Sequence, residues 1–175
     1  MKYIVIMGIT GSGKTTLENR LAEMGFKKNI SYTTRHQEKN EKNFEDYIFV
    51  SKEKFMELYE EGQIIEYTEY AGNLYGTQRP FGSTQFVSVC EINGAKKLKE
   101  IFGSQIKIVY LDIDKEVALR RIESRKKEGR ETNNLEERLE RDLSKIEEMK
   151  ENADIILDAT LSVNSLVIEL LKYIH

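Results

Sequence analysis

The stretch Gly8-Ile9-Thr10-Gly11-Ser12-Gly13-Lys14-Thr15 narrows the possible folds of this chain more than any other. It follows the strand-like run Lys2-Tyr3-Ile4-Val5-Ile6-Met7 and precedes a segment with helical periodicity. It therefore meets the phosphate-loop pattern at every fixed position, in the strand, loop, helix context that the pattern requires. The glycines let the backbone wrap an anion, so that successive N–H groups and the following helix N-terminus converge on the same phosphates. Lys14 adds a mobile positive charge and Thr15 an oxygen for Mg²⁺. A plain glycine turn between a strand and a helix would not call for a lysine and a hydroxyl at its last two positions.

At 175 residues the chain suffices for one compact domain with small inserted subdomains, but is short for two independent ones. Lys and Arg number 27 against 30 Asp and Glu, a net charge of -3; this balance predicts no nucleic-acid partner and confines any phosphate site to local basic clusters. The single Cys90 lies in the apolar run Phe86-Val87-Ser88-Val89-Cys90 and reads as a small buried hydrophobe in a reducing compartment. No apolar run approaches the roughly 18 residues of a membrane helix. A soluble, cytoplasmic protein with no membrane contact is expected, as a monomer or homodimer.

Beyond the loop, Leu17, Leu21 and Met24 recur at helical spacing, with Gly25 as a stop. Residues 31 to 82 read as a mixed insert. It holds two short apolar runs, Ile30 to Arg35 and Tyr47 to Val50, then a helix capped by Ser51 with Phe55, Leu58 and Tyr59 on one face, then a hairpin turning at Ala71-Gly72-Asn73. Strand and helix then alternate: strand 86–90, helix 93–102, strand 106–111, helix 114–127, helix 135–150, strand 154–158 and helix 162–174. Such alternation predicts an α/β fold, a parallel sheet flanked by helices. The last helix has one apolar stripe, Val163, Leu166, Val167, Leu170, Leu171 and Ile174.

The residues Ser31-Tyr32-Thr33-Thr34-Arg35, Glu41, Asp46-Tyr47-Ile48-Phe49-Val50-Ser51, Glu66 and Gly72-Asn73-Leu74-Tyr75-Gly76-Thr77 resemble the nucleotide-acceptor subdomain of guanylate kinases. The likeness is close over about the first 77 residues and follows the order of elements thereafter. It implies the phosphate-loop nucleoside monophosphate kinase fold: a core of residues 1–30, 83–125 and 135–175, an acceptor-binding insert at 31–82, and an arginine-bearing lid at about 126–134. It implies ATP on Gly8, Thr10, Gly11, Ser12, Gly13, Lys14, Thr15 and Thr16, with Mg²⁺ on Thr15. Ser31, Arg35, Tyr47 and Tyr75 would hold the acceptor phosphate, where guanidinium and phenol groups donate to its oxygens, and Glu41 and Glu91 are implied as further acceptor-binding residues. Glu66 and Thr77 match guanine-reading positions, because a carboxylate accepts from the ring N1–H and the exocyclic amine while a hydroxyl meets O6. Glu66 also reads as an ordinary outward residue on a strand, and Tyr75 as hairpin packing.

The chain departs from the family's pattern in places. Glu38 stands where a second phosphate-binding arginine is usual, Asn40 and Phe44 stand where the family has glycines, and only Gln78 to Gln85 separate Thr77 from the next core strand. Glu91 matches the second of two family acidic residues, and Val89 replaces the first. Leu111-Asp112-Ile113-Asp114 reproduces that acidic pattern too late in the chain, so Asp114 reads as a helix N-cap. Arg121, Arg125 and Arg138 match the family's catalytic arginines, which, with Lys14 and Arg35, neutralise the transferring group; Arg130 and Arg141 match less surely. The other reading is a solvated helix face with pairs such as Glu137 and Arg141. The resemblance thus implies transfer of the ATP γ-phosphoryl group to GMP or dGMP. The alternatives are a related kinase for another (deoxy)nucleotide or a phosphorylated ribose, which Glu38 favours, and a catalytically inactive module that binds protein, which an intact Lys14 and Thr15 disfavour.

Overall fold

The computed structural model describes residues 3–37, 39, 41–82, 85–128 and 135–174. Glu38, Asn40 and Arg130, and residues 129–134 of the expected lid, lie outside these. The chain runs β1 (Tyr3–Gly8), α1 (Lys14–Glu23), β2 (Lys27–Lys28), β3 (Tyr32–Thr33), β4 (Ile48–Phe49), α2 (Lys52–Glu60), β5 (Ile64–Tyr70), β6 (Asn73–Gln78), β7 (Phe86–Val89) and α3 (Ile92–Phe102). It continues with β8 (Ile106–Asp112), α4 (Lys115–Lys127), α5 (Leu135–Leu143), α6 (Ile146–Glu151), β9 (Ile155–Asp158) and α7 (Val163–Leu171).

The larger sheet has the order β2-β7-β1-β8-β9, with every pair parallel. β1 lies at its centre, and all of its residues are buried, which is why it reads as an unbroken apolar run. The smaller sheet has the order β4-β3-β6-β5, with β5 and β6 an antiparallel hairpin. That hairpin turns on Ala71 (φ 49) and Gly72 (φ 75), two consecutive left-handed residues as the tightest hairpin turns require. A separate apolar cluster, Tyr32, Ile48, Phe55, Leu58, Ile64 and Leu74, lies under this sheet.

Several elements differ from what the sequence suggested. The expected helix 135–150 is two helices, because the Ser144 hydroxyl donates to the Arg141 carbonyl at 2.7 Å and the Lys145 amide turns instead to Asp142 O at 3.0 Å. The helix expected over 162–174 ends at Leu171, and the amides of residues 172–174 bond three residues back. Met24 is off the α1 stripe and 43% exposed, since α1 stops at Glu23. Tyr59 likewise sits outside the α2 core face and packs edge-on against Tyr67. Asp114 occupies the α4 N-cap position, but its side chain makes no cap bond; the Ser51 cap does form, accepting from Lys54 N at 3.2 Å. Cys90 lies just beyond β7 and is only half-buried, lining a cleft rather than filling the core. β2, a pair of lysines added to the edge of β7, carries no apolar signal at all.

Candidate active site

Between β1 and α1 the phosphate loop closes on itself through Ser12 N donating to Ile9 O at 3.1 Å. Gly11 has φ 87, and a Cβ there would lie 2.9 Å from the Ala118 carbonyl oxygen, so only glycine lets the loop rest against α4. Lys14 Nζ donates to Gly8 O at 2.8 Å and Ile9 O at 3.0 Å, which lays the ammonium across the mouth of the loop. Burial of that ammonium lowers its pKa to about 8. The negative charge of Asp142 pulls it back up, while Arg138 and Arg125 push it down. Thr15 is exposed in the first turn of α1. Among the described residues no cluster of three acidic, histidine or cysteine side chains could hold a metal. A divalent cation would fit here as an ion shared between the Thr15 hydroxyl and bound phosphates.

Two cavities meet the loop. One is lined by Gly8, Thr10 and Lys14, by Ser31, Tyr47, Glu66, Tyr75 and Thr77 around the smaller sheet, by Glu91 after β7, and by Arg138 of α5. The other lies beside Gly11, Ser12, Gly13 and Thr16, with Arg121 and Arg125 of α4 opposite them. Arg121 is fastened to backbone there: Nη2 donates to Ala159 O at 2.7 Å and Nη1 to Ser12 O at 3.3 Å.

In the first cavity Thr77 Oγ1 donates to Glu66 Oε1 at 2.6 Å. Burial raises the Glu66 pKa and the charge of Glu91 adds to the effect, while the Thr77 bond opposes it. α3 approaches this pair so closely that a Cβ on Gly94 would come 2.5 Å from Thr77 Oγ1 and 2.9 Å from Glu66 Oε1. Tyr47 and Tyr75 meet edge to face, 6.1 Å between centroids. Burial raises the Tyr47 pKa, against the positive charge of Arg138. Arg138 lines the same cavity as Lys14, Tyr47 and Tyr75, and its charge acts on both Lys14 and Tyr47.

Arg35 and Glu41 line neither cavity. Arg35 Nη2 donates to Glu41 Oε1 at 2.6 Å, and its guanidinium lies 5.6 Å from the Tyr47 ring centroid, at the cavity's edge. The Glu137–Arg141 pair of the alternative, solvated-face reading does not form. Arg141 Nη2 donates instead to Glu91 Oε1 at 2.6 Å, and its guanidinium stacks 4.7 Å from the Tyr70 ring centroid. Glu137 accepts from the Tyr70 hydroxyl at 3.0 Å.

Two features escape a reading of the sequence, and a third is only partly legible in it. Asp142 Oδ2 accepts from both Thr10 N and Thr10 Oγ1, each at 2.7 Å. Glu18 of α1 is half-buried, its side chain 14% exposed and 4.0 Å from Lys28, and Arg141, offered by the sequence only as a less sure lid arginine, faces the smaller sheet. Asp142 and Glu18 each read in sequence as one charge among many on a polar helix.

A glycine loop at the carboxyl end of a central parallel strand, with a lysine at its mouth and a second sheet carrying tyrosines and a carboxylate–hydroxyl pair across the cleft, defines a phosphate-loop kinase of small nucleotides. Comparison with known proteins narrows the class: the family model described as "Guanylate kinase" matches residues 1–174. The guanylate kinase of Prochlorococcus marinus (strain MIT 9312) is 36% identical over 141 residues, covering 74% of this chain and 75% of that protein. That of Trichormus variabilis (strain ATCC 29413 / PCC 7937) is 33% identical over 154 residues, covering 83% and 76%. The crystal structure of guanylate kinase from Anaplasma phagocytophilum superposes with a TM-score of 0.73 at 24% identity, over 99% of this chain and 84% of that one, a likeness of fold. The chain belongs to the guanylate kinase family.

Proposed function

We propose that this chain transfers the γ-phosphoryl group of ATP to GMP or dGMP, with the loop Gly8–Thr15 and Thr16 holding the donor's phosphates and Thr15 sharing a Mg²⁺ with them. The observation that carries this reading is the Glu66–Thr77 pair, which shares one cavity with Lys14. A carboxylate offers guanine the acceptors its N1–H and exocyclic amine need, and the hydroxyl, on turning its proton away from Glu66 Oε1, a donor for O6; adenine lacks that donor pair. Ser31, Tyr47 and Tyr75 line the same cavity as the Glu66–Thr77 pair and Lys14 and would take the acceptor phosphate, with Arg35 and Glu41 at its edge. Residues 31–82 then act as the acceptor-binding subdomain.

No general base is required, because a nucleoside monophosphate is close to a dianion at neutral pH; alignment and charge neutralisation suffice. Lys14 and Arg138 flank the path of transfer, and the charges of Arg125 and Arg138 already act on Lys14. Arg121 and Arg125 face the donor side of the loop. A bound Mg²⁺ supplies further neutralisation of the transferring group.

The test is an ADP-release assay with ATP across a panel of nucleoside and ribose monophosphates, on the wild type and on Glu66→Gln. The amide replaces an acceptor with a misplaced donor, so kcat/KM for GMP should fall by about 10- to 100-fold, with little change in melting temperature. Equal use of GMP and AMP before and after the substitution would overturn the guanine assignment, and turnover of another monophosphate alone would replace it.

A further inference from the structure

Asp142, near the end of α5, is an anion placed on the phosphate loop by the protein itself. Its Oδ2 accepts from the Thr10 amide and the Thr10 hydroxyl, both at 2.7 Å. Its side chain is 16% exposed, and it lines the same cavity as Lys14 and Arg138. After burial, its charge is the strongest influence on the Lys14 ammonium and the foremost one that favours the charged form. A loop amide and hydroxyl pair, a nearby ammonium and a nearby guanidinium are the set of groups that would surround a terminal phosphate oxygen. The placement is fixed from both sides. Arg141 is held by Glu91 and Tyr70, and the Ser144 hydroxyl ends α5 directly afterwards by taking the Arg141 carbonyl.

We propose that Asp142 is a specificity-determining residue, an internal occupant of the place on the loop that the γ-phosphate of ATP takes, so that it sets how strongly the site prefers ATP over ADP. This rests on the loop being the donor-phosphate site. The donors of Thr10 cannot serve a carboxylate and a γ-phosphate at once, and two anions at such separations repel. ATP must displace Asp142 or bind beside it. ADP, one phosphate shorter, leaves it seated. Asp142 therefore handicaps the substrate relative to the product, and removing its charge lifts that handicap for ATP alone.

The experiment is isothermal titration of the full chain with ATP and with ADP, each with Mg²⁺ and without acceptor, for the wild type, Asp142→Asn and Asp142→Ala. Asparagine keeps the shape and an acceptor oxygen for Thr10 without the charge, so it decides the matter should the alanine variant fold poorly. The expected result is a rise of about tenfold in the ratio of the ADP to the ATP Kd in both variants, carried by tighter ATP and shrinking as salt is raised. An unchanged ratio, or ATP bound more weakly by Asp142→Asn, would overturn the inference and make Asp142 a residue that merely shapes the loop. A wild-type protein that binds neither nucleotide would overturn the loop assignment itself, a different failure from a wild type that binds both and variants that keep its ratio.

Discussion

Glu18 sits one helical turn beyond Lys14, with burial pushing its pKa up to about 7 against the pull of Lys28 and a backbone bond from Val89. The unfolded carboxyl releases its proton near 4.5, so between that value and about 7 the folded state holds more protons than the unfolded one. Its contribution is fully present below pH 4.5 and is lost as pH rises through about 7. The span of the shift limits the effect to about 3 kcal/mol, and relaxation together with the loss of Lys28's partner reduces it. Glu18→Gln, which keeps an acceptor for Val89, should therefore stabilise the protein by about 1–2 kcal/mol at pH 8 and by nothing measurable at pH 4.5. Urea titrations at both pH values check this, and an equal gain at the two would discount the charge as its cause. Glu18 also shows where single residues cease to be legible in sequence. Lys14 and Thr15 announce themselves because their neighbours in the chain fix their surroundings. The surroundings of Glu18 come instead from Lys28 and Val89, and those of Asp142 from Thr10, 132 residues away. Glu66 stands between these cases, since its partner Thr77 faces it across a hairpin that the sequence itself predicts.

Elements built on a strong period could be read directly: β1, the β5–β6 hairpin and α7 follow from unbroken apolar runs, a turn signature and a stripe. Those decided by one competing bond could not. The Ser144 hydroxyl breaks a segment whose periodicity continues through it, and β2 exists because β7 has a free edge, not because Lys27 and Lys28 favour a strand. The loop before β4 carries a different signature, a conflict between residue and backbone. Phe44 is 65% exposed and adopts φ 65, a left-handed conformation costing a residue with a Cβ about 1–2 kcal/mol. Asparagine tolerates that conformation without glycine's loss of chain entropy. Phe44→Asn should gain about 0.5–1 kcal/mol, seen as a higher denaturation midpoint at unchanged slope. A loss would mean that the phenyl ring makes a contact worth more than the strain.

On the scale of the molecule, α5 adds a second tie between the two sheets, beside the packing of α3 on β5. Asp142 reaches the loop of the parallel sheet, while Arg141 beside it holds Glu91 and lies on Tyr70 of the smaller sheet. Arg141→Ala removes a charged hydrogen bond and a cation–π contact of about 0.5–1 kcal/mol. Amides at the tip of the β5–β6 hairpin should then exchange with solvent about three- to tenfold faster, while β1 keeps its protection. Equal rates at the tip would mean that the smaller sheet holds itself in place. The order of strands has a further consequence, for synthesis. β1 lies between β7 and β8, whose residues 86–89 and 106–112 follow it by 80 or more positions. At roughly 5–20 residues per second, a ribosome leaves this fully apolar strand without either neighbour for several seconds. During that interval Tyr3 to Met7 are the segment most open to chaperones and to mispairing with other nascent chains.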